Sequence, residues 1–278
     1  MSTPQILYKY IRDKYAIRTL QGLELRVTPP LEFDDPFEYL VRVDGNLARE
    51  RVEKMMKQKR HEKRLYEEAK EKGVFKGSRR AFNKEYRGKF GKHVNEAVAT
   101  AEPLLRTVLK QFFPTEISQR YGILCLTEVR DSILMWSHYA SGHRGIVVGI
   151  EIPSHWKLLQ VDYRSDRVPI DMGVDPYNDN FLAKLIALTK VKSNHWTYER
   201  EWRAISELKI LEKRVIETRT HYFAKIPSEL IKEVIVGLRY PAEELEALQA
   251  AQQKSIPQAK LLKACLHDTE YELVIHDF

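Results

Sequence analysis

Ile146-Val147-Val148-Gly149-Ile150-Glu151-Ile152 is an apolar run of the kind found in a central strand, and Ser141-Gly142-His143-Arg144-Gly145 is the turn that leads into it. Upstream of the turn, Asp131 is expected to cap a short helix through Ile133, Leu134, Met135, Trp136, His138 and Tyr139. Before that helix, Gly122-Ile123-Leu124-Cys125-Leu126-Thr127 is a second strand. Near the start of the chain, Leu7-Tyr8-Lys9-Tyr10 is a short strand, and Asp13 is expected to cap a helix that Gly22 ends. Leu23, Leu25 and Val27 then alternate with Glu24 and Arg26 at the period of a half-buried strand. Downstream, strands are expected at 161–163, 201–205 and 234–237, and helices at 180–191 and 241–253. A terminal hairpin is expected from 260–266 and 271–275. Strands and helices alternate irregularly, which points to an α+β fold rather than a doubly wound sheet.

Between the early and late parts of this pattern lies a stretch of different character. From about Asn46 to Lys72 and again from about Arg79 to Phe113 the period is helical, with Gly73 and Gly77 between the two regions. Residues 49–92 hold 17 Lys or Arg against 7 Asp or Glu, although the whole chain carries only +7. The expected organisation is therefore a core made of residues 1–45 and 119–278, split by a basic helical insertion over 46–118. A basic helical face is an electrostatic footprint for phosphates. Arg60, Lys63, Arg64, Arg79, Arg80 and Lys84 are the candidate nucleic-acid contacts, and Tyr66, Phe75, Phe82, Tyr86 and Phe90 are interleaved with the charges as candidate base-stacking groups. The same surface also suits an acidic protein partner, such as an antitoxin or a phage protein. Equally, it can be an ordinary solvated hairpin whose aromatics pack inward. Glu62, Glu67 and Glu68 interrupt the basic face, which argues against a membrane surface.

Composition sets outer limits. With 43% hydrophobic and 31% charged residues over 278 positions, the chain is in the globular class. Cys125 and Cys265 lie in apolar runs and read as small buried hydrophobes rather than disulfide or metal partners. Met1-Ser2-Thr3-Pro4-Gln5 has no signal-peptide pattern, and no run approaches the roughly 20 apolar residues of a membrane span, so a cytoplasmic location is expected. No Gly-rich phosphate loop, zinc spacing or nucleophile elbow is present.

Four clusters carry the chemistry that remains. They are Tyr8-Lys9-Tyr10, the loop Phe33-Asp34-Asp35-Pro36-Phe37, the helix Trp136-Ser137-His138-Tyr139, and Trp196-Thr197-Tyr198-Glu199-Arg200-Glu201-Trp202-Arg203. If Glu199 enters the strand, residues two apart share a face, so Glu199 and Glu201 project together and one carboxyl rises in pKa. Such a pair suits a site that holds a sugar hydroxyl and stabilises an oxocarbenium-like transition state. The plainer reading is a solvated strand end with one glutamate paired to Arg203. His138 reads as a general acid or base, or as a histidine packed at a helix end. Trp136 and Tyr139 read as core or as stacking groups, and Asp34 and Asp35 as makers of loop hydrogen bonds to backbone amides.

Taken together, the clusters resemble the bacterial family called "domain of unknown function 2971". That family's marks are a Tyr-Lys/Arg-Tyr start, a Pro-x-x-Phe-Asn-Asp-Pro-Phe loop, a Met-Trp-Ser-His-Tyr helix and a Tyr-Glu-x-Glu-Trp-Arg segment. They are matched here by Tyr8–Tyr10, Pro30–Phe37, Met135–Tyr139 and Tyr198–Arg203, with Asp34 in place of Asn. The order of elements is also similar to ADP-ribosyltransferase folds, especially toxins that modify nucleic acids. That likeness implies a mixed, mostly antiparallel twisted sheet and NAD as the nucleotide. By position, Lys9, in place of the usual Arg or His, and Tyr10 would contact NAD, with Tyr139, His138 and Trp136 near the nicotinamide. Glu201 would hold the ribose hydroxyl and Glu199 would activate the acceptor.

Three readings follow. The first is an ADP-ribosyltransferase-like effector of toxin or phage-defence type, acting on nucleic acid or protein with no metal. The second is a metal-dependent nuclease, with Asp34, Asp35 or Glu128 joining Glu199 and Glu201 around a cation. The third is a non-enzymatic binding module with no deep pocket near Glu201.

Overall fold

The computed structural model describes residues 5–170 and 180–278. The chain divides into two compact units, one made of Met1–Glu38, Thr115–Asp166 and Leu188–Phe278, the other of Tyr39–Pro114 and Arg167–Ala187.

The first unit is built on an eight-stranded sheet. Across it the strands run Leu273–Asp277, Lys260–Leu266, Ile231–Val236, Ile146–Glu151, Ile6–Ile11, Tyr121–Thr127, Glu201–Glu207 and Leu159–Gln160. Neighbours are antiparallel except Ile231–Val236 and Lys260–Leu266, which are parallel. A parallel pair needs a crossover, and the helix Ala242–Ser255 supplies it. The fold is thus α+β with a mixed, mostly antiparallel sheet.

The central run is apolar because both its faces are covered. Ile146, Val148 and Ile150 join Leu7, Leu124 and Trp202 in one buried cluster, which also takes in Ala16 and Leu20 of the helix Asp13–Gly22 and Leu248 and Ala251 of the helix Ala242–Ser255. Val147, on the opposite face, joins Tyr10, Met135, Trp136 and Ile235 in another. The turn ahead of the run needs glycine at Gly145, where a Cβ would lie 2.0 Å from the Ile11 carbonyl oxygen. The caps fall one residue away from their expected places. Ser132, not Asp131, accepts from the Met135 amide, and Asp13 is the first helical residue after Arg12. A three-stranded sheet of Glu212–Ile216, Arg219–Lys225 and Glu24–Val27, and the parallel pair Asp162–Arg164 with Val191–Ser193, complete the unit.

The second unit starts earlier than the expected insertion and takes in 167–187, because Arg42–Val43 pairs in parallel with Pro169–Ile170. Its helices are Gly45–Met56, Lys59–Glu71, Arg79–Gly88, the first part of Phe90–Arg120 and most of Asn180–Thr189. Its interior is aromatic. Phe82 packs on Tyr66, Phe75 and Tyr86 at centroid distances of 5.7, 5.3 and 6.2 Å, and Tyr86 lies against Phe90 and His93. Val52, Met56 and Val94 fill the space around these rings. The aromatics read from sequence as base-stacking groups are engaged with one another. A helix this polar has little aliphatic material to bury, so its rings form the core.

Candidate functional site

Everything in the candidate site belongs to the first unit. It starts one strand in from the edge of the large sheet, where the chain reaches the strand Glu201–Glu207 in a way that simple alternation does not anticipate. Asn194–Glu199 is a 3-10 helix, and Arg200 adopts a left-handed conformation with φ 42° before the strand begins. Glu199 therefore stands at the end of a helical turn rather than on the strand, which corrects the expected geometry. The two carboxylates still converge, because Arg200 redirects the backbone between them. A left-handed conformation at a residue with a side chain costs about 1 kcal/mol or more, so packing must hold it. Part of that hold is the Thr127 hydroxyl, which donates to the Glu199 carbonyl oxygen.

On the strand itself, alternation places Glu201 and Arg203 on one face, with Trp202 on the other, buried in the core and donating to Glu128. Arg203 is fully buried and grips Glu201 with two hydrogen bonds of 2.9 Å, from Nε to Oε1 and from Nη2 to Oε2. Its Nη2 also donates to Glu38 Oε1 at 2.9 Å and its Nη1 to the Thr189 carbonyl at 3.0 Å. Lys192, from the short strand Val191–Ser193, reaches the same group. Its ammonium lies 2.6 Å from Glu199 Oε2, 3.3 Å from Glu201 Oε2 and 3.3 Å from Glu38 Oε1, and 4.9 Å from the centre of the Trp196 ring. Tyr139, at the end of the helix Ile133–Tyr139, donates its hydroxyl to Glu199 Oε1 at 2.6 Å. The Glu201 amide donates to the Tyr163 hydroxyl at 2.8 Å. Three buried carboxylates thus face two buried cations.

The environment drives the carboxyls apart. Burial alone would raise Glu201, but Arg203 and Lys192 outweigh it and hold that group at about 2. Glu199 moves the other way, raised by burial and by the charge of Glu201 beyond what Lys192 and Tyr139 offset. Glu38 is also raised, by burial first and then by Glu201. Neighbouring acids with opposite shifts can divide the work between a permanent anion and a proton acceptor.

Glu38, Lys192, Glu199, Glu201 and Arg203 line a cavity of about 530 Å³, within the range of small-molecule sites. Lys9, Tyr10, Tyr139, Trp196, Asp34 and Asp35 line it as well. Lys9 donates to the Cys125 carbonyl at 2.9 Å, and burial, with Arg26 adding to it, lowers its pKa. Tyr10 lines the cavity, but its hydroxyl is engaged by the Val129 carbonyl at 3.1 Å. Two of the residues read from sequence as part of a site lie elsewhere. Trp136 is wholly buried, donating to the Arg130 carbonyl at 3.0 Å, and is a core residue. His138 is exposed and outside the lining, with its Nδ1 3.1 Å from the Tyr198 hydroxyl. The helix turns the neighbouring Tyr139 inward and so carries His138 away. Sequence reasoning missed Lys192 and Glu38, and the only signal for either was a lone charge inside a short apolar or aromatic context.

Among the described residues, no group of three or more His, Cys, Asp or Glu side chains is placed to hold a metal ion. The three carboxylates converge instead on an ammonium and a guanidinium, and Glu128 is committed to Trp202. This donor arrangement gives the nuclease reading no support, and the cavity beside Glu201 is what the binding-module reading did not expect. Among the described residues, no helix is long and apolar enough to cross a membrane.

In the second unit, the six candidate nucleic-acid contacts fall into two sets. Lys63 pairs with Glu67 and Arg64 with Glu68 along the helix Lys59–Glu71. Arg60 donates to Gln58, while Arg79, Arg80 and Lys84 are exposed with no ion pair among the described residues.

No family model matches the chain, and neither a curated protein nor a solved structure matches it.

Proposed function

We propose that the chain belongs with the "domain of unknown function 2971" group and is an ADP-ribosyltransferase-like enzyme that takes NAD as donor substrate. The observation that carries the reading is the divided pair in the cavity, with Glu201 held ionised by Arg203 and Glu199 raised beside it. In the reaction, the bond between the ribose C1′ and the nicotinamide nitrogen breaks. The electron pair leaves with nicotinamide, which departs neutral because the ring nitrogen was cationic. Positive charge develops on the ribose, and the Glu201 carboxylate stabilises it; its acceptor sites are taken by Arg203, Lys192 and the Cys125 thiol, so it holds a ribose hydroxyl by exchanging the weakest of these donors, the thiol. An acceptor hydroxyl or amine attacks C1′, and its proton passes to Glu199, whose raised pKa suits a general base. Arg203 and Lys192 position both carboxylates. The reading gives His138 and Trp136 no part in the chemistry, and Tyr139 acts by holding Glu199.

Nucleic acid is the acceptor class this reading favours, in toxin or phage-defence biology. Lys70, Lys72, Lys76, Arg79, Arg80 and Lys84 cluster about the turn between two helices of the second unit, with Arg79, Arg80 and Lys84 free of any ion pair among the described residues. With the aromatic rings engaged in the interior, contact there is with phosphates rather than bases, and so is independent of sequence.

The test is nicotinamide release from NAD, with total nucleic acid present, for wild type and for Glu201→Gln and Glu199→Gln checked by circular dichroism. Release by wild type that falls at least a hundredfold in both folded variants is the expected result. Wild type that neither binds nor turns over NAD would overturn the reading.

A further inference from the structure

The cavity beside Glu201 contains polar atoms that the glutamate cluster does not use. Asp35 is 8% exposed, and its Oδ1 accepts from the Phe37 amide at 2.8 Å, which shapes the turn after it. Its Oδ2 is buried with no hydrogen-bond partner. An acceptor left so is destabilising, and a carboxylate oxygen more than a neutral one. Arg26 lines the same cavity. Its Nη2 donates to Glu32, yet its Nε is buried and unpartnered. Lys9 lines it too, with one hydrogen bond from its three N–H groups and no ion pair among the described residues. Both cations line one cavity, and the field of Arg26 makes the charge on Lys9 harder to hold. Two cations of one cavity with spare donors are completed by an anion, and a lone buried carboxylate oxygen is completed by a hydroxyl or amine. Both needs arise in one cavity.

We propose that Lys9 and Arg26 form an anion subsite and Asp35 a hydroxyl-accepting partner of the same cavity, so that its ligand is a phosphorylated sugar. From sequence, Asp35 reads as a loop former or, in the nuclease reading, as a metal ligand, and Arg26 as an outward position on a strand. The phosphate lies against Lys9 and Arg26 Nε, and a sugar hydroxyl donates to Asp35 Oδ2. The inference deepens the nucleotide reading above, since a dinucleotide contains this unit, but it requires neither nicotinamide nor group transfer.

Calorimetry with ribose 5-phosphate, ribose and inorganic phosphate as separate probes tests it. Wild type is expected to bind ribose 5-phosphate more tightly than either fragment. Arg26→Gln should weaken ribose 5-phosphate and phosphate about tenfold and leave ribose unchanged, as loss of one charged hydrogen bond requires. Asp35→Asn keeps the acceptor for Phe37, and it should weaken ribose 5-phosphate and ribose about tenfold while leaving phosphate unchanged. If either variant melts well below wild type, competition in wild type replaces it. Inorganic phosphate must then displace ribose 5-phosphate, and binding of the two without competition overturns the proposal. So does the absence of ribose 5-phosphate binding to wild type, or equal binding by folded variants. Ribose 5-phosphate binding with the expected variant pattern, but without nicotinamide release from NAD, leaves this inference standing and removes the transferase reading. Nicotinamide release that is unchanged in both variants does the reverse.

Discussion

Replacing Arg203 by Met tests whether the buried charge cluster holds the site together. The side chain is 0% exposed and makes hydrogen bonds to Glu201, Glu38 and the Thr189 carbonyl. Met fills much of the same volume, so the packing loss is small and the electrostatic loss dominates. Glu201 and Glu38 would be left buried with Lys192 alone for charge, and breaking a buried pair from one side costs about 3–5 kcal/mol. At about 2–4 °C per kcal/mol, the melting temperature should fall by roughly 6 °C or more. The pH dependence gives an independent check. Glu201 is held at about 2 in the fold, below its ordinary value near 4.5, so its contribution is present above 4.5 and is lost as pH falls through 2. Without Arg203 only Lys192 is left to oppose burial, and the depression shrinks. The difference in stability between wild type and Arg203→Met should therefore be widest near pH 7 and narrow as the pH falls from 4.5 towards 2. Adding Glu201→Gln to Arg203→Met removes one orphaned charge and should recover about 1–2 kcal/mol. Urea titrations at several pH values measure all three quantities. A loss under about 1 kcal/mol for Arg203→Met, with no pH dependence, would refute the reasoning.

Further outcomes are expected elsewhere in the molecule. Wild-type turnover of NAD should rise with pH through a Glu199 pKa that lies above the ordinary carboxyl value, because the base must lose its proton to work, and Glu199→Gln should be slow and flat over the same range in a pH–rate profile. Arg79→Gln, Arg80→Gln and Lys84→Gln together should weaken binding to a short DNA duplex equally for unrelated sequences, and should reduce the slope of log K against log salt by about 1 for each phosphate that is no longer neutralised; fluorescence anisotropy between roughly 50 and 200 mM salt reads this. Gly145→Ala should cost about 3 kcal/mol or more in denaturant titration, since its Cβ would lie 2.0 Å from the Ile11 carbonyl oxygen and backbone would have to move. Tyr86→Ala should destabilise the second unit by about 3 kcal/mol while sparing nicotinamide release, because Tyr86 is buried among rings of that unit alone.

Much of the fold was legible locally. The run at 146–152, the alternation at 23–27 and the terminal hairpin each announced an element, because a strand's burial is written into consecutive residues. The same local logic placed Glu201 and Arg203 on one strand face. It failed at Glu199, where a 3-10 turn and a left-handed Arg200 replaced the expected strand. It left the aromatics of the basic helices undecided between stacking and packing, since ring spacing alone does not tell a stacking surface from a core.

The sequence by itself determined the α+β class, the basic helical segment and the shared strand face of Glu201 and Arg203, all of which rest on short-range period and charge. Only the tertiary structure decided that Lys192 and Glu38 join that pair, that Trp136 is core and His138 stands outside, and that Asp35, Arg26 and Lys9 share one cavity. Those residues come from separate segments of the chain. Their meeting depends on how the loop after Pro30, the first strand and the strand at 191–193 are folded together, and no pattern within any one segment encodes the distances between them.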